Sequence, residues 1–323
     1  MGQILACTRR RQLDKFADEE RKLPHSPIVA PPVRETIYIV VMGSTGSGKT
    51  TFINLASGSN LREGSSLESC TDEVQTSTPF HVGRQQVVLI DTPGFDDTNL
   101  TDTDVLKLIA AYLVTTNKQG ARLAGVIYMH RISDLRVGGS ARRDFRMFQE
   151  LCGEEAYPNV IIVTNMWGTV TAEDGNDRER ELATKDIFFK LILDQRAKML
   201  RHDHTKQSAH QIIQNLIDKE TVVLQIQREL GEGMDITQTA AYKQLDKEMS
   251  ELAARHQKEL KALEEEMADA ERSQDEETRG ELQEEVRKVE AELEKAQSQA
   301  ARLASDYQTE LRRIEEILQV KEG

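Results

Sequence analysis

One stretch of the chain, residues 37–50, constrains the fold more than any other. It reads Ile-Tyr-Ile-Val-Val-Met-Gly-Ser-Thr-Gly-Ser-Gly-Lys-Thr. The apolar, β-branched run Ile37–Met42 predicts a buried parallel strand, and a glycine-rich loop with the spacing Gly-x-x-x-x-Gly-Lys-Thr follows it directly. Later segments alternate between strand-like and helix-like patterns, among them a single helix predicted over 177–193. Together these features predict an α/β protein with three layers, α/β/α, around a mostly parallel sheet.

The loop is the predicted phosphate site. Its backbone N–H groups can turn inward onto phosphates, Lys49 supplies a positive charge at the β- and γ-phosphates, and the Thr50 hydroxyl can ligate Mg²⁺. The helix that starts here directs the positive end of its dipole at the same anion. We assign Lys49 to catalysis as well as to binding. The predicted nucleotide-binding residues are Gly43, Ser44, Thr45, Gly46, Ser47, Gly48, Lys49, Thr50 and Thr51.

A second motif, Asp91-Thr92-Pro93-Gly94, follows an apolar strand about forty residues later. An acid at the end of such a strand is the expected Mg²⁺ partner, which here is Asp91. The Gly94 N–H is predicted to contact the γ-phosphate. Thr71, in the polar loop between the two motifs, is predicted to close on Mg²⁺ and the γ-phosphate during catalysis. A plain surface threonine is the alternative, because neighbouring Ser and Thr residues compete for the role.

These motifs resemble those of translation-factor-related GTPases. The wider pattern is similar to septin-like and immune-associated nucleotide-binding P-loop GTPases, and most of all to fungal GTPase-domain proteins with a coiled-coil tail. The resemblance covers about residues 36–265 and implies binding of GTP or GDP with Mg²⁺ and slow GTP hydrolysis. The further segments that carry it are Ile127–Asp134 with Arg136, Leu151-Cys152-Gly153, Arg201-His202-Asp203, Ser208-Ala209 and Gln225-Ile226-Gln227.

Base recognition is expected at Thr164-Asn165-Met166-Trp167-Gly168, where guanine-specific proteins carry Asn-Lys-x-Asp. Asn165 aligns with the asparagine, whereas Met166 replaces the lysine and Gly168 stands at the place of the aspartate. That carboxylate accepts two hydrogen bonds from guanine, so its loss predicts a weaker preference for guanine over adenine. Asn165 and Trp167 are the predicted base contacts, the latter by stacking; a core position for Trp167 is the alternative.

Turnover is predicted to be slow. Phe95 follows the second motif at the position where many GTPases place a glutamine that orients water. The polar residues 96–98 are the nearest substitutes. Arg131 or Arg136 is a candidate to reach the phosphates of a second copy across a nucleotide-dependent dimer; a salt-bridged loop is the plainer interpretation of both arginines.

The composition divides the chain into unlike parts. Every Phe and the single Trp precede residue 190, whereas residues 243–323 hold 23 acidic against 14 basic side chains. The first part is therefore expected to bury a core and the last part is not. We predict a flexible tail with a proline-bearing linker over 1–35, a P-loop GTPase (G) domain over 36–217, a helical connector over 218–242 and a coiled coil over 243–320.

The coiled-coil prediction rests on apolar residues that alternate four and three apart. They form two series with a shift of phase and an interruption near residues 273–280, which leaves open one long helix or an antiparallel hairpin, and pairing within one chain or between two. A solvated single helix is the further alternative. The series are Leu245, Met249, Leu252, His256, Leu260, Leu263 and Met267, then Leu282, Val286, Val289, Leu293, Ala296, Ala300, Leu303 and Tyr307.

The net charge and the cysteine content indicate which ligands and which cellular compartment to expect. A net charge of −13 and a pI of about 5.2 argue against nucleic-acid binding. Three scattered cysteines fit a reducing compartment, and no apolar run approaches the length of a membrane span, so a cytoplasmic protein is expected. Gly2 and Cys7 next to three arginines match an acylated membrane anchor except at Ala6; a basic tail without lipid is the favoured alternative.

The sequence thus predicts a guanine-nucleotide-binding protein with slow Mg²⁺-dependent GTP hydrolysis. Its nucleotide state is expected to control self-assembly or partner binding, with homo-oligomers formed through the G domain and the coiled coil. The alternative is a nucleotide-binding scaffold that does not hydrolyse its ligand and acts through the coiled coil.

Overall fold

The computed structural model describes residues 35–62, 73–95, 100–134, 139–272 and 276–322. Residues from Thr36 onward form one compact unit. The predicted acylation sites Gly2 and Cys7 lie outside the described residues, as do Thr71 and Arg136. None of the helices in the described ranges combines the length and the apolar character that crossing a bilayer requires.

The centre of the fold is a seven-stranded sheet in which the strand with the glycine-rich loop lies near the middle. The order is β2-β4-β1-β5-β6-β7, with β3 also pairing with β4. Among the described strands, the neighbours β4–β1, β1–β5, β5–β6 and β6–β7 pair in parallel, whereas β2 and β3 run antiparallel to β4. The predicted mostly parallel sheet is therefore confirmed. The strands are β1 Ile37–Met42, β2 Gln75–Thr76, β3 Phe80–Val82, β4 Gln85–Asp91, β5 Arg122–Arg131, β6 Val160–Asn165 and β7 Lys198–Arg201.

Helices cover both faces of the sheet. They are α1 Lys49–Ser57, α2 Asp102–Lys118, α3 Gly139–Cys152, α4 Ala172–Thr184, α5 Lys190–Asp194, α6 Lys206–Ile217, α7 Gln225–Gly231, α8 Ala240–Arg272 and α9 Glu276–Glu322. Helix α2 begins with a capping box, in which the Thr101 hydroxyl accepts from the Asp104 N–H and the Asp104 carboxylate accepts from the Thr101 N–H. A single helix over 177–193 is the expectation from sequence, and it is wrong. The structure has a turn between α4 and α5 at this place.

Two hydrophobic cores lie on opposite faces of the sheet. On one face α1 and α6 bury residues such as Phe52 and Ile213 against β1, β4 and β5. On the other, α2 and α3 pack with Phe148 and Ile109 fully buried, and this core continues into the residues after 217. The three predicted layers are thus present, and the second face is extended by later helices.

The last two helices form an antiparallel hairpin, one of the arrangements that the sequence left open. Near its tip Leu263 packs with Leu282 and Val289. At its base the hairpin joins the main core, because Leu303 and Tyr307 are buried there. The expectation that the acidic last part contributes nothing to the core is therefore wrong for α9. A helix needs only one apolar stripe to be buried, whatever its average composition.

The joined core gives a first prediction. Leu303→Ala removes a side chain that is 1% exposed, so the domain built on the seven-stranded sheet should lose about 2–5 kcal/mol of stability. Trp167, the single tryptophan, reports unfolding of that domain by fluorescence in a urea titration. The matched control is Ile317→Ala on the same helix, where the side chain is 42% exposed and a small change is expected. A Leu303→Ala protein with an unaltered Trp167 transition would show that α9 and the domain unfold independently.

Candidate functional site

The glycine-rich loop lies directly on the carboxyl ends of β5 and β6. A Cβ at Gly43, where φ is +139°, would be 2.3 Å from the Met129 carbonyl oxygen. A Cβ at Gly48, where φ is +90°, would be 2.6 Å from Asn165 Nδ2. Only glycine fits at these two positions, because both the backbone conformation and the space exclude a side chain.

Lys49 and Thr50 leave this loop as the first residues of α1. The Lys49 amine donates to the carbonyl oxygens of Gly43 at 2.9 Å and Ser44 at 3.1 Å, and the side chain is buried along the loop. The Thr50 hydroxyl donates to Asp91 Oδ2 at 2.7 Å. The structure therefore brings together the predicted charge, the predicted Mg²⁺ ligand and its predicted acidic partner.

The donor set suits a hard cation. A hydroxyl and a carboxylate are oxygen donors, which Mg²⁺ prefers, and Mg²⁺ usually takes few protein ligands because it keeps waters and phosphates. Within the described ranges there is no cluster of three or more His, Cys, Asp or Glu side chains that could hold a metal by itself. Thr50 and Asp91 fit an ion that is shared with a phosphate ligand.

The Asp-Thr-Pro-Gly turn packs against the loop. A Cβ on Gly94 would be 2.4 Å from Thr45 Oγ1 and 2.5 Å from its nitrogen, and the Thr45 N–H donates to the Phe95 carbonyl at 3.3 Å. The Phe95 side chain is 1% exposed and belongs to the main core. The phenyl ring therefore packs in the core rather than projecting into solvent beside the loop.

A buried carboxylate that sequence reasoning missed supports the other end of the loop. Ser44 Oγ donates to Asp144 Oδ2 on α3 at 2.9 Å, and Asp144 is 1% exposed. Burial, with the nearby Asp144 charge, raises the pKa of Tyr128. Next to Asp144 in the sequence, Arg143 pairs with Asp102 of α2 at 3.1 Å. The signal available in the sequence was an acid, Asp144, among three arginines of one helix, Arg142, Arg143 and Arg146.

The two predicted base contacts, Asn165 and Trp167, have different partners in the structure. Asn165 Nδ2 donates to the Ser47 carbonyl at 3.1 Å, so Asn165 holds the loop, and its predicted contact with the base stays a prediction. Trp167 donates to the Thr164 carbonyl at 3.2 Å, and the Arg201 guanidinium lies 4.0 Å from the centre of its ring. One face of the indole is therefore engaged in a cation–π contact, which leaves its predicted base stacking without support from this geometry.

Gly168 lies in open space. It is exposed, and an added Cβ would meet no described atom within 4 Å. Its φ lies outside the left-handed region, unlike that of Met166 at 64°. An aspartate could therefore occupy position 168 without backbone strain, so the missing carboxylate is a property of the sequence and not a demand of the fold.

Arg131, at the end of β5, forms the predicted salt-bridged turn. Its Nε lies 3.1 Å from Asp134 Oδ1, and its Nη1 would be 3.3 Å from a Cβ on Gly46 of the loop. Arg178 of α4 holds the turn by donating to the carbonyls of Ile132 at 2.9 Å and Ser133 at 3.1 Å. The salt-bridged interpretation is confirmed for Arg131; contact with the phosphates of a second copy stays a prediction.

Two histidines near the carboxyl ends of the parallel strands, His130 and His202, have lowered pKa values that keep them neutral at pH 7. Burial lowers the pKa of His202 to about 4, with a further contribution from His204, and burial lowers the pKa of His130 to about 4 as well. His202 Nδ1 lies 2.7 Å from Ser208 Oγ, and the ring meets Phe52 of α1 edge-on at 5.0 Å. His202 therefore packs α1 and α6 against the end of β7.

The remaining site predictions divide between exposed and undescribed residues. Thr51 is exposed on the first turn of α1, and Gly46 is the most open part of the loop. The predicted switch residue Thr71 and the polar residues 96–98 lie outside the described ranges, so their roles stay predictions.

Comparison with known families agrees with this geometry. Residues 38–166, less than half of the chain, match the model of a family described as 50S ribosome-binding GTPase. The search among curated protein sequences gave no match. The match begins in β1 and ends one residue after β6, so it spans the glycine-rich loop, the Asp-Thr-Pro-Gly turn and Asn165.

Several solved structures are similar at low identity. Toc33 from Arabidopsis thaliana in complex with GDP and Mg²⁺ has a TM-score of 0.46 at 14% identity, covering 68% of this chain and 96% of that one. The G domain of the FeoB iron transporter from T. maritima has a TM-score of 0.36 at 13%, covering 57% and 98%. A variant of Aquifex aeolicus Era bound to GDP and AlF4− has 0.40 at 16%, covering 58% and 62%. These values are too low to transfer any function.

His202 generates a prediction for pH. Its pKa is about 4 in the folded protein against 6.5 ordinarily, so the unfolded chain binds a proton that the folded chain refuses between these values. Stability should therefore fall as the pH falls from about 6.5 towards 4. His202→Asn, which can keep the hydrogen bond to Ser208, should make this fall shallower while lowering stability at pH 7 through the lost Phe52 contact. Urea titrations between pH 4 and 7 measure both the pH dependence and the stability at pH 7. An unchanged dependence of stability on pH in the His202→Asn variant would contradict the lowered pKa of His202.

Proposed function

We propose that this chain binds GTP or GDP with Mg²⁺ on its P loop, hydrolyses GTP slowly, and uses its nucleotide state to control self-assembly or binding of a partner. The observation that carries the proposal is the loop resting on β5 and β6, with Lys49 anchored along it and Thr50 bonded to Asp91.

Mg²⁺ would be held by the Thr50 hydroxyl and, through water, by Asp91, and would neutralise phosphate charge. Asp91 is buried at the end of β4, and its Oδ2 is 2.7 Å from the Thr50 hydroxyl. Neither side chain needs a new position to serve an ion at the loop. Lys49 would exchange its loop carbonyls for phosphate oxygens of opposite charge, a stronger pairing than a neutral carbonyl offers.

Slow turnover follows from Phe95. A glutamine at this position would orient the attacking water, whereas the phenyl ring is buried in the core and has no hydrogen-bonding group. Lys49 and the Gly94 N–H then supply charge stabilisation without positioning the nucleophile. The proposed role of Thr71, closing on Mg²⁺ and the γ-phosphate, belongs to the same step.

The same observation favours a second candidate function. A site that binds the nucleotide but cannot position water describes a scaffold that acts through its bound state and does not turn over. The septin-like subtype, the fungal relationship and homo-oligomers through the G domain or the helices are finer parts of our proposal, supported by the resemblance of the motifs in sequence.

Calorimetry with GTP and Mg²⁺, followed by single-turnover hydrolysis, tests the proposal. Lys49→Ala and Thr50→Asn should weaken binding by roughly two orders of magnitude or more, since they remove the charge and the metal ligand. Circular dichroism checks that both variants fold. Wild-type affinity in both variants would refute the site, and tight binding without any phosphate release would select the scaffold.

The base site gives a separate prediction. Gly168→Asp should sharpen the preference for GTP over ATP by roughly tenfold or more, because it restores an acceptor for the guanine edge at an open position. Gly168→Asn has nearly the same shape without the charge and should sharpen the preference less. Competition of both nucleotides against a fluorescent analogue measures the ratio. A wild type that already rejects ATP by several orders of magnitude would show that another group reads the base.

A further inference from the structure

We propose that Arg131 binds phosphate oxygens of the nucleotide held by its own chain, so that this protein carries its phosphate-binding arginine in cis. The inference rests on the proposed function. It goes beyond that function by naming a residue outside both nucleotide motifs and by replacing the trans arrangement that the sequence suggested.

The register of the sheet places Arg131 beside the loop. The last residue of β1, Met42, pairs with Tyr128, and β5 continues for three residues beyond it. Gly43 rests on the carbonyl of Met129, the next residue of β5. Arg131 therefore stands at the height of the loop itself, where its Nη1 comes within 3.3 Å of the Cβ position of Gly46.

Gly46, the loop residue beside Arg131, lies where a P loop contacts phosphates. In a P loop the successive backbone N–H groups face the phosphates, and Gly46 lies midway between Gly43 and Lys49. A guanidinium beside such a group carries several N–H donors in a planar fork, which matches phosphate oxygens. Gly46 is exposed, so a ligand on the loop can also reach Arg131.

Asp134 and Arg178 prepare the arginine for this contact. Asp134 accepts from Arg131 through Nε, at 3.1 and 3.3 Å for its two oxygens, whereas Nη1 is the atom near Gly46. Arg178 pins the turn between Arg131 and Asp134 to α4. The Arg131 and Asp134 side chains are 37% and 27% exposed, so this ion pair orients the guanidinium without being strong enough to withhold it from a phosphate.

The assignment in cis follows from which groups the Arg131 side chain can reach. Arg131 Nη1 lies 3.3 Å from the Cβ position of Gly46 in its own chain, while its Nε is paired with the Asp134 carboxylate three residues away. To serve a second copy it would have to leave Gly46 and Asp134 together. The geometry therefore favours the arginine's own loop.

The chemical role is charge stabilisation. In GTP hydrolysis the water oxygen bonds to the γ-phosphorus, the bond from that phosphorus to the β–γ bridging oxygen breaks with its electron pair left on GDP, and the water protons go to inorganic phosphate and solvent. Arg131 would neutralise charge on the phosphate oxygens during this step, as arginines supplied in cis or in trans do in other GTPases.

The test compares Arg131→Ala and Arg131→Gln with Arg180→Ala in the full chain. Arg180 forms the same kind of ion pair, to Asp177 at 2.9 Å, on the exposed surface of α4. We expect both Arg131 variants to bind the non-hydrolysable analogue GMPPNP, with Mg²⁺, about tenfold or more weakly and to hydrolyse GTP roughly 10- to 1,000-fold more slowly, and Arg180→Ala to match wild type. Arg131→Gln keeps most of the side-chain volume, so a folding defect of the alanine variant does not confuse the result.

A mixing experiment separates cis from trans. Arg131→Ala is combined at high concentration with Lys49→Ala, which retains Arg131 but lacks the loop amine. The cis assignment predicts that hydrolysis stays at the sum of the two separate variants. Recovery of hydrolysis in the mixture would overturn it in favour of trans, and wild-type binding and hydrolysis by both Arg131 variants would remove Arg131 from the site. A wild type that binds neither GMPPNP nor GDP would instead refute the proposed function itself.

Discussion

The close approach of the P loop to the carboxyl ends of β5 and β6 is the contact on which the rest of the site depends. Gly43 lies on the Met129 carbonyl and Gly48 on the Asn165 amide at distances that no side chain permits. Seated there, the loop lets the Lys49 amine reach two of its carbonyls and the Thr50 hydroxyl reach Asp91. The arrangement needs β1, β5 and β6 adjacent and in register, because a slip of one residue in β5 would turn each of its side chains to the opposite face of the sheet.

Two buried carboxylates fasten the loop to the layers around it. Asp144 accepts from Ser44 near the beginning of the loop, and Asp91 accepts from Thr50 at its end. Taking a carboxylate out of water costs several kcal/mol unless hydrogen bonds replace its hydration, so each of these bonds offsets part of the cost of burial. Through Asp144 the loop is tied to α3, and the neighbouring Arg143 ties α3 to Asp102 at the start of α2. A displacement of the loop by phosphates would thus be transmitted through these bonds to α2 and α3.

Local chemistry made the core of the site predictable, and tertiary contacts hid the rest. The strand, the glycine spacing and the acid at Asp91 lie in short segments whose pattern is sufficient. The bond from Ser44 to Asp144 spans 100 residues, and no local pattern announces it. The prediction of one helix over 177–193 was wrong because no glycine or proline in the sequence marks the turn. This turn lets Phe189 enter the core against Tyr128 and Phe145. Tertiary packing there overrides helix propensity.

The C-terminal helices show how average composition misleads about burial. Leu303, Tyr307 and Ile314 lie on one stripe of the acidic helix α9, and the stripe is covered by the chain's own domain. Burying each such side chain stabilises the fold by roughly 1.5–3 kcal/mol, which any pairing of α9 with a second chain would have to replace. Towards the tip, Leu282 and Val289 are already covered by α8. The described parts of the seam that suggested self-association are therefore covered within one chain.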